Sequence, residues 1–365
     1  MAYTTIDDPS AYFQTTTYEG TGSTRNVTNG GNSDLQPDFV WLKSTDTTSN
    51  HNVFDSNRGV TKRLIPNDTN AEDTLSAFSH FLSDGFTITG SPLNDSGSDW
   101  ISFQWKCNGG TLTTVNSNGT SNKVDEHQRQ TNTTSGFAIV TYEGVEDDNG
   151  NFPVFTHSLG KTAEFVLVKN RSQADHWSVL HKTTSAANGL NSLILNDKEA
   201  VSKSPDPWDG NAGNANDVYV KGQPSAVHNV NADGENYVAY CFTSIQGFSK
   251  FGSFTGNGAT GLHLQPFIHT GFTPSLVLLR RTNNSGGWFM FSDGLHPYNE
   301  HTTRLHIEVN NAVQTHVYYQ LDFCSNGFKI TEEGDNMNGN GDTIIYMAWA
   351  KHPFVTSTGV PATAR

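Results

Sequence analysis

"NDSGSDWISFQW" at residues 94–105 joins a polar Asn-x-x-Gly turn to a strand with apolar side chains at alternate positions. The same pattern returns as "NADGENYVAYCF" at 231–242 and "NGNGDTIIYMAW" at 338–349. Glycine in such a turn supplies a positive φ that a β-branched residue resists. The second strand face is also largely apolar or small in the later copies, which predicts a strand covered on both faces. We therefore expect one turn and one core strand per repeat.

Three further blocks recur upstream of this element. A short apolar strand that ends in a cation appears as "PDFVWLK" at 37–43, "AEFVLVK" at 163–169 and "PSLVLLR" at 274–280. The opening block appears as "YEGTGST" at 18–24, "YEGVEDD" at 142–148 and "FTGNGAT" at 254–260. "LSDGFTI" at 82–88 returns as "CSNGFKI" at 324–330, and the middle copy has only a degraded form near 217–222. The chain thus contains three copies of one unit.

Each unit has about 100 residues, the size of a small domain rather than of a solenoid repeat. Short strands between Gly, Asn, Asp and Pro clusters, without long amphipathic helical patterns, predict an all-β fold. We expect three tandem antiparallel β-sandwich or jelly-roll-like domains. The predicted organisation is an N-terminal arm (1–11), repeat 1 (12–107), a polar linker (108–135), repeat 2 (136–246), repeat 3 (247–356) and a C-terminal tail (357–365).

The two junctions between repeats differ in composition. The linker 108–135 carries no aromatic residue, whereas the second junction carries Phe248, Phe251 and Phe254. Aromatic side chains bury large apolar areas when they pack. We therefore expect repeat 1 to be looser than repeats 2 and 3, which should pack tightly on each other.

The charge balance limits the classes of partner. The 365 residues include 22 Lys and Arg against 36 Asp and Glu, a net charge of −14. Phosphate backbones would repel such a chain, which argues against nucleic-acid binding. Three cysteines without a C-x-x-C pattern argue against disulfides and structural zinc. The acidic start lacks signal-peptide features, and no apolar run approaches about 18 residues, so we expect a cytosolically made protein without membrane insertion.

The enzyme hypothesis finds little support in the sequence. Glu19 and Glu143 occupy equivalent positions, but the third copy has Thr255 there, so a general acid is not kept in every unit. G-x-S-x-G, H-E-x-x-H and Walker patterns do not occur. We expect a non-enzymatic protein without a cofactor. A catalytic site in a single unit stays open as an alternative.

Metal ligation is a second candidate chemistry. The oxygen-rich turns resemble calcium loops but lack the EF-hand spacing, and a hairpin turn needs the same residue types. The weak calcium candidates are Asp95, Asp99, Asp233, Glu235 and Asp342, with a plain turn as the preferred interpretation. His51 and His176 align with Trp288 in the third unit, which favours packing over ligation.

Carbohydrate binding is the strongest candidate activity beyond structure. Sugars offer apolar faces to aromatic rings and hydroxyl edges to Asn and Asp side chains. The segments 204–211 and 287–304 have that mixture. The candidate residues for a glycan or a partner are Trp208, Asp209, Trp288, Asp293, His296, Tyr298 and Asn299. The preferred alternative is that Trp288 and Phe289 belong to the core.

Several blocks together resemble a known family. They are "FQTTTYEGTGST", "PDFVWLKS", "LSDGF", "GFSKFGSFTGNG" and "YMAWAKHPF". With them the chain is similar to virion-associated proteins of tailed bacteriophages, especially marine ones, that are built from repeated β-domains. The resemblance covers nearly the whole chain and implies a virion component of tail or tail-fibre-like type. It supplies no catalytic residues.

These observations predict a non-enzymatic structural protein of a phage tail, acting in a fibre, tip or adsorption apparatus, with host surface glycan as a candidate ligand. We expect synthesis in the host cytoplasm, assembly into the virion with other virion proteins, and a homo-oligomer. Tail-fibre analogy suggests a trimer, although three equivalent units in one chain would also mimic a trimer. The alternatives are a head-decoration protein and a tail-associated glycan-degrading enzyme.

Overall fold

The fold is taken from a computed structural model of the chain. It describes residues 3–116, 123–124, 126–146, 153–184, 193–199, 207–208, 213–221, 229–259, 264–299, 302–316, 320–331 and 335–361.

Strands dominate all three repeats, which confirms the all-β prediction. Strands β1–β9 are Phe13–Glu19, Arg25–Val27, Phe39–Ser44, Asn52–Asp55, Lys62–Arg63, Asp73–Thr74, Phe78–Phe81, Phe86–Ile88 and Asp99–Trp105. Strands β10–β18 are Thr113–Val115, His127–Asn132, Phe137–Glu143, Val154–Thr156, Phe165–Asn170, Ser178–His181, Leu193–Ile194, Asp217–Tyr219 and Asn236–Phe242. Strands β19–β27 are Ser249–Thr255, Phe267–His269, Phe272–Arg281, Trp288–Ser292, Thr303–His306, Gln314–Thr315, Leu321–Cys324, Gly327–Ile330 and Thr343–Pro353. A 3-10 turn at Pro9–Ala11 and helix α1 at Asp335–Asn338 complete the described elements.

Each repeat contributes one large antiparallel sheet with the same inner strand order. The three inner orders are β1-β9-β3-β4, β12-β18-β14-β15 and β19-β27-β21-β22. Strands β11, β10 and β16 extend the second of these sheets, while β23 and β24 extend the third. The smaller sheets are β2-β8-β7, β13-β17, β20-β26-β25 and β5-β6.

The strands that follow the Asn-x-x-Gly turns lie inside their sheets. Strand β9 pairs with β1 on one side and β3 on the other, and β18 and β27 are flanked in the same way. Odd-numbered side chains of β9, such as Phe103, point to one buried cluster, and Trp100 points to another. Each of these three strands is paired along both edges and buried on both faces. The predicted core strand, covered on both faces, is therefore confirmed.

The turns themselves also match the prediction. Gly97, Gly234 and Gly341 have φ values of 79°, 70° and 78°. The N–H of each donates to the carbonyl of a second glycine that ends the repeat's first strand, at 2.9–3.0 Å. The backbones lie so close at these second glycines that a Cβ on Gly20 would sit 2.0 Å from the carbonyl oxygen of Asp95. Two glycines per repeat are therefore required by backbone geometry.

The large sheets turn one face each toward a single shared core. This cluster takes equivalent residues from all three repeats, and Phe103, Tyr240 and Met347 are one such set. Equivalent aromatic residues of the three closing strands meet here, with ring-centroid distances of 5.3 Å for Trp105–Trp349, 5.4 Å for Phe242–Trp349 and 6.2 Å for Trp105–Phe242. The opposite sheet faces bury three separate clusters, one in each repeat.

Hydrogen bonds between the repeats close a cycle. Trp177 in repeat 2 donates its indole N–H to the Ile65 carbonyl of repeat 1 at 2.8 Å. Trp288 in repeat 3 donates equivalently to Ile194 of repeat 2 at 2.8 Å. Nε2 of His51 in repeat 1 lies 3.0 Å from the His306 carbonyl of repeat 3. Each repeat thus contacts the next one around the shared core.

Two features differ from the sequence-based expectations, and the N-terminal arm has contacts that the sequence did not indicate. The predicted linker 108–135 contains β10 and β11, which add to the sheet of repeat 2. Repeat 1 is not loose, because its residues fill the shared core together with those of the other repeats. The N-terminal arm is anchored within the same chain: Ile6 is buried in the shared core and the Tyr3 hydroxyl donates to Gly271 at 2.9 Å. These contacts are non-local in sequence, which is why composition did not reveal them.

Candidate functional site

The aromatic candidates for glycan binding are buried. Trp208 and Trp288 are each 0% exposed. Trp208 packs in the separate core of repeat 2, and Trp288 lies in the shared core with its indole N–H bonded to Ile194. Neither ring offers a face to a ligand, so the glycan candidates Trp208 and Trp288 are corrected, and the preferred interpretation of Trp288 and Phe289 as core residues is confirmed. Asp209 lies outside the described residues.

The remaining glycan candidates follow strand β22. Tyr298 is 75% exposed, and its carbonyl lies 2.9 Å from Nδ1 of the partly exposed His296. The two rings have an edge-to-face arrangement with centroids 6.4 Å apart. Asn299 is exposed beside them. The loop therefore brings His296, Tyr298 and Asn299 together at the surface, whereas Asp293 lies at its buried end.

Two of the five acidic turn candidates serve as hydrogen-bond or charge partners within the chain. Asp342 accepts from Asn283 and Asn284 and pairs with Arg281 at 3.1 Å. Glu235 accepts from Asn170 and Tyr237. Asp99 stands opposite Glu19 in the β1–β9 register, while Asp95 and Asp233 are exposed. Within the described ranges, no three His, Cys, Asp or Glu residues are placed to hold a metal ion.

The histidine alignment needs a one-residue correction. The strand registers make Trp177, not His176, the counterpart of His51 and Trp288. The indole of Trp41 donates to Nδ1 of His51 at 2.9 Å, so Nε2 carries the proton and donates to His306. Burial and the nearby Lys43 charge lower the pKa of His51 to about 3. It is a neutral packing residue with two hydrogen bonds.

A polar cleft runs along strand β1 between repeats 1 and 3; we call it the β1 cleft. It consists of two cavities of about 610 Å³ and about 400 Å³ that share Thr17. Between them, Gly294 approaches β1 closely, so that a Cβ added there would sit 3.3 Å from Oγ1 of Thr15. Loop residues of repeat 3 thus form one wall and the threonine-rich strand forms the other.

Asp293 is the buried charge of the smaller cavity. Its side chain is only 7% exposed and accepts from Nζ of Lys351 at 2.7 Å and from Oγ of Ser275 at 2.7 Å. A longer bond of 3.4 Å comes from Thr15. These bonds fix the carboxylate within the wall and leave it little freedom to bind a ligand as the glycan hypothesis required.

The larger cavity has an acidic mouth. Glu19, Asp46 and Asp99 line it beside the hydroxyls of Thr17 and Thr45, and none of its described lining residues is Lys or Arg. Carboxylates and hydroxyls together can accept hydrogen bonds from a cation, an amide or a sugar hydroxyl. The cavity therefore favours a cationic or neutral polar ligand over an anionic one.

The β1 cleft was not predicted from the sequence. Its signal is the run Thr15–Thr17 in a strand whose counterparts in the other repeats read "FAIVTYE" and "SKFGSFT". At the position of Thr15 the other repeats carry the apolar residues Ile139 and Phe251, so a hydroxyl replaces an apolar side chain where the strand faces the cleft. Without the relative placement of repeats 1 and 3, that substitution indicates only partial exposure.

The comparisons with known proteins identify a family. The family model described as "Domain of unknown function (DUF7483)" matches residues 8–353, a span that includes all three repeats. No curated protein and no solved structure matches the chain. Across the described ranges, no helix has the length and hydropathy that a membrane span requires.

Proposed function

We propose that this chain, which belongs to the DUF7483 family, is a non-enzymatic structural component of a bacteriophage virion that acts in the tail apparatus. The repeated blocks that resemble phage virion proteins support the virion assignment. The cyclic packing of three equivalent sheets on one core supports a rigid scaffold that acts by docking. This closed packing within one chain is the observation that carries the structural role.

We further propose that each repeat is a β-sandwich-like unit of about 100 residues, as expected for a small domain. The large sheet of each repeat would form the inner layer, and its smaller sheet would form the outer layer. Because the three inner layers already enclose a filled core, one chain would take the place of a trimer on a symmetry axis. The homotrimer expected from tail-fibre analogy then becomes unnecessary for stability.

Host surface glycan is the ligand we propose for the loop after β22. Exposed Tyr298 offers a ring face, and His296 and Asn299 offer polar edges beside it. Aromatic stacking with polar edge contacts is the usual way in which proteins hold sugars. Display of several copies on a virion would convert weak single contacts into useful avidity.

Immunogold electron microscopy of purified virions, with antibody against the recombinant chain, tests the location. Label concentrated on the tail supports the proposal, and label spread over the head would make the chain a head-decoration protein. A virion free of the chain by mass spectrometry would overturn the assignment.

Glycan arrays with the wild-type chain and Tyr298→Ala test the ligand. Loss of binding in the variant supports the loop as the glycan site. Release of reducing ends from host polysaccharide over days would instead indicate a glycan-degrading enzyme.

A further inference from the structure

Strand β1 leaves one hydrogen-bonding edge open. The bonds Lys106 N–H to Tyr12 O at 3.0 Å and Gly20 N–H to Ser98 O at 2.7 Å show that even-numbered residues bond to β9. The alternation of an antiparallel ladder then directs the N–H and C=O groups of Thr15 and Thr17 away from β9. Among the described residues, none bonds to these backbone groups. They face the β1 cleft.

The equivalent edge in repeat 2 already carries an added strand. Phe137 stands opposite Phe242 as Phe13 stands opposite Trp105, so β12 is the counterpart of β1. Strand β11 covers the edge of β12, with Gln128 opposite Thr141 and Gln130 opposite Ile139. By the same alignment, Thr141 corresponds to Thr17 and Ile139 to Thr15. The chain therefore contains a filled copy of the site that β1 leaves open.

The surroundings of the two edges are also equivalent. In the filled copy, the Gln130 side chain donates to Ser56 at 2.7 Å and Asn57 at 2.6 Å, in the turn after β4 of repeat 1. The strand registers place Asp293 and Gly294 at the corresponding positions after β22 of repeat 3. Those residues form the wall of the β1 cleft. The two cavities of the cleft thus occupy the place that β11 takes in the neighbouring repeat.

We propose that the β1 edge is a strand-addition site for an extended segment of a partner protein that carries a basic residue opposite Glu19. Backbone hydrogen bonds to Thr15 and Thr17 would supply affinity, as in other cases of β-augmentation. The acidic residues Glu19, Asp46 and Asp99 of the larger cavity, whose described lining has no Lys or Arg, supply the charge preference. Lys351 in the smaller cavity is paired with Asp293. The inference does not depend on glycan binding by His296, Tyr298 and Asn299, although the same loop forms one wall of the cleft.

A peptide copy of β11 is the probe for this site. The fluorescent peptide "EHQRQTNT" (residues 126–133) keeps the strand that already fits the equivalent edge. Continuing the β11 register by two residues places Glu126 opposite Glu143, the counterpart of Glu19. A second peptide with Glu126→Lys should therefore bind the full-length chain at least fivefold more tightly in fluorescence polarisation. Glu19→Gln in the chain should reduce that difference.

Thr17→Pro and Ser253→Pro form a matched pair of chain variants. Thr17 stands opposite Ile101, and Ser253 stands opposite Ile345 at the equivalent position of β19. On both edge strands the backbone N–H of this residue points away from the neighbouring strand. Proline there removes a donor without a loss of sheet bonds. We expect Thr17→Pro to weaken binding of the Glu126→Lys peptide at least tenfold and Ser253→Pro to leave it unchanged.

Several results would overturn the inference. Equal binding by both proline variants would mean that the peptide displaces β11 or binds by charge alone. Self-association of the peptide-free chain that Thr17→Pro abolishes would identify a second copy as the occupant. If Thr17→Pro does not fold, amide exchange of the wild-type chain decides: the peptide must protect Thr15 and Thr17, and no protection refutes the site.

Discussion

Gly20, Gly144 and Gly256 lie where two backbone segments approach too closely for a side chain. A Cβ would sit 2.0 Å from the carbonyl oxygen of Asp95 at Gly20, and 2.2 Å from a backbone carbonyl oxygen at each of the other two glycines. Asp95 is 75 residues from Gly20 in sequence, so the crowding arises only when the repeat folds. Any side chain at these positions would force the backbone to move.

Gly20→Ala should destabilise the chain by about 1–3 kcal/mol, because the added Cβ collides with backbone that has no room to yield. Gly30→Ala is the matched control: a Cβ there meets nothing within 4 Å, and Gly30 does not have a positive φ. Its free energy of unfolding should match the wild type or exceed it slightly. Urea unfolding followed by tryptophan fluorescence measures both, and equal losses would contradict the crowding argument.

Buried histidines should make stability fall on mild acidification. Burial lowers the pKa of His51 to about 3, of His157 to about 4 and of His181 to about 3. Below pH ~6.5 these histidines are protonated in the unfolded chain but stay neutral in the folded chain. Each histidine therefore lowers the free energy of unfolding by up to about 1.4 kcal/mol per pH unit. The loss of stability begins as the pH falls through ~6.5 and continues until the pH reaches the pKa values of the folded chain.

The slope of unfolding free energy against pH between 5 and 6.5 tests this sign. Glutamine in place of His51 can keep both hydrogen bonds but does not titrate. The slope for His51→Gln should therefore be smaller than that of the wild type by up to about 1.4 kcal/mol per pH unit, which corresponds to one proton. Carboxylates contribute alike to the wild type and the variant and therefore cancel in this comparison. In spite of burial, the pKa of Glu72 is held below its usual value by Arg171 and Arg58, whereas burial raises the pKa of Asp175. An unchanged slope in the variant would mean that His51 is protonated in the folded chain.

Strand β11 shows the limit of prediction at the scale of elements. Its sequence "HQRQTN" is polar and lacks the apolar alternation that marks a half-buried strand. It becomes a strand because the β12 edge and the turn after β4 supply its partners, and these lie in two different repeats. By contrast, the closing strands were predictable, since their own side chains are apolar on both faces.

Gln130→Ala should cost about 2–3 kcal/mol. Gln130 is 1% exposed, and its side-chain amide bonds to Ser56, Asn57 and the backbone N–H of Gly110. Truncation removes these three hydrogen bonds together with the buried packing of the side chain, while Ser56 and Gly110 keep their bonds to Asp38. Gln128→Ala on the same strand removes only an exposed bond to Thr114 and should change stability by less than about 0.5 kcal/mol. Denaturant midpoints compare the two variants, and similar midpoints would mean that β11 adds nothing to the interface.

At the scale of the whole molecule, the sequence repeats predicted units but not their assembly. Side chains on both faces of β9, β18 and β27 are buried and therefore require two covering layers, and the sequence does not say what the second layer is. The structure supplies it from the other repeats, through the Trp105, Phe242 and Trp349 contacts. The β1 cleft was hidden for the same reason, because both of its walls exist only after the repeats close their cycle.

A shared core should make the three repeats unfold together. Calorimetry of the full chain should give one transition whose calorimetric and van't Hoff enthalpies agree. Trp105→Ala, Phe242→Ala and Trp349→Ala remove equivalent rings from that core, so each should cost about 3–5 kcal/mol and move the whole transition downward.

Independent tandem domains would behave differently under the same substitutions. Three transitions would appear, and each alanine variant would shift only the transition of its own repeat. A fragment of repeat 1 alone, residues 12–107, also distinguishes a shared core from independent domains. Its inner face would expose Phe13, Phe39 and Trp41 to water. We expect that fragment to lack a cooperative transition, and a fragment as stable as the full chain would refute the shared core as the source of stability.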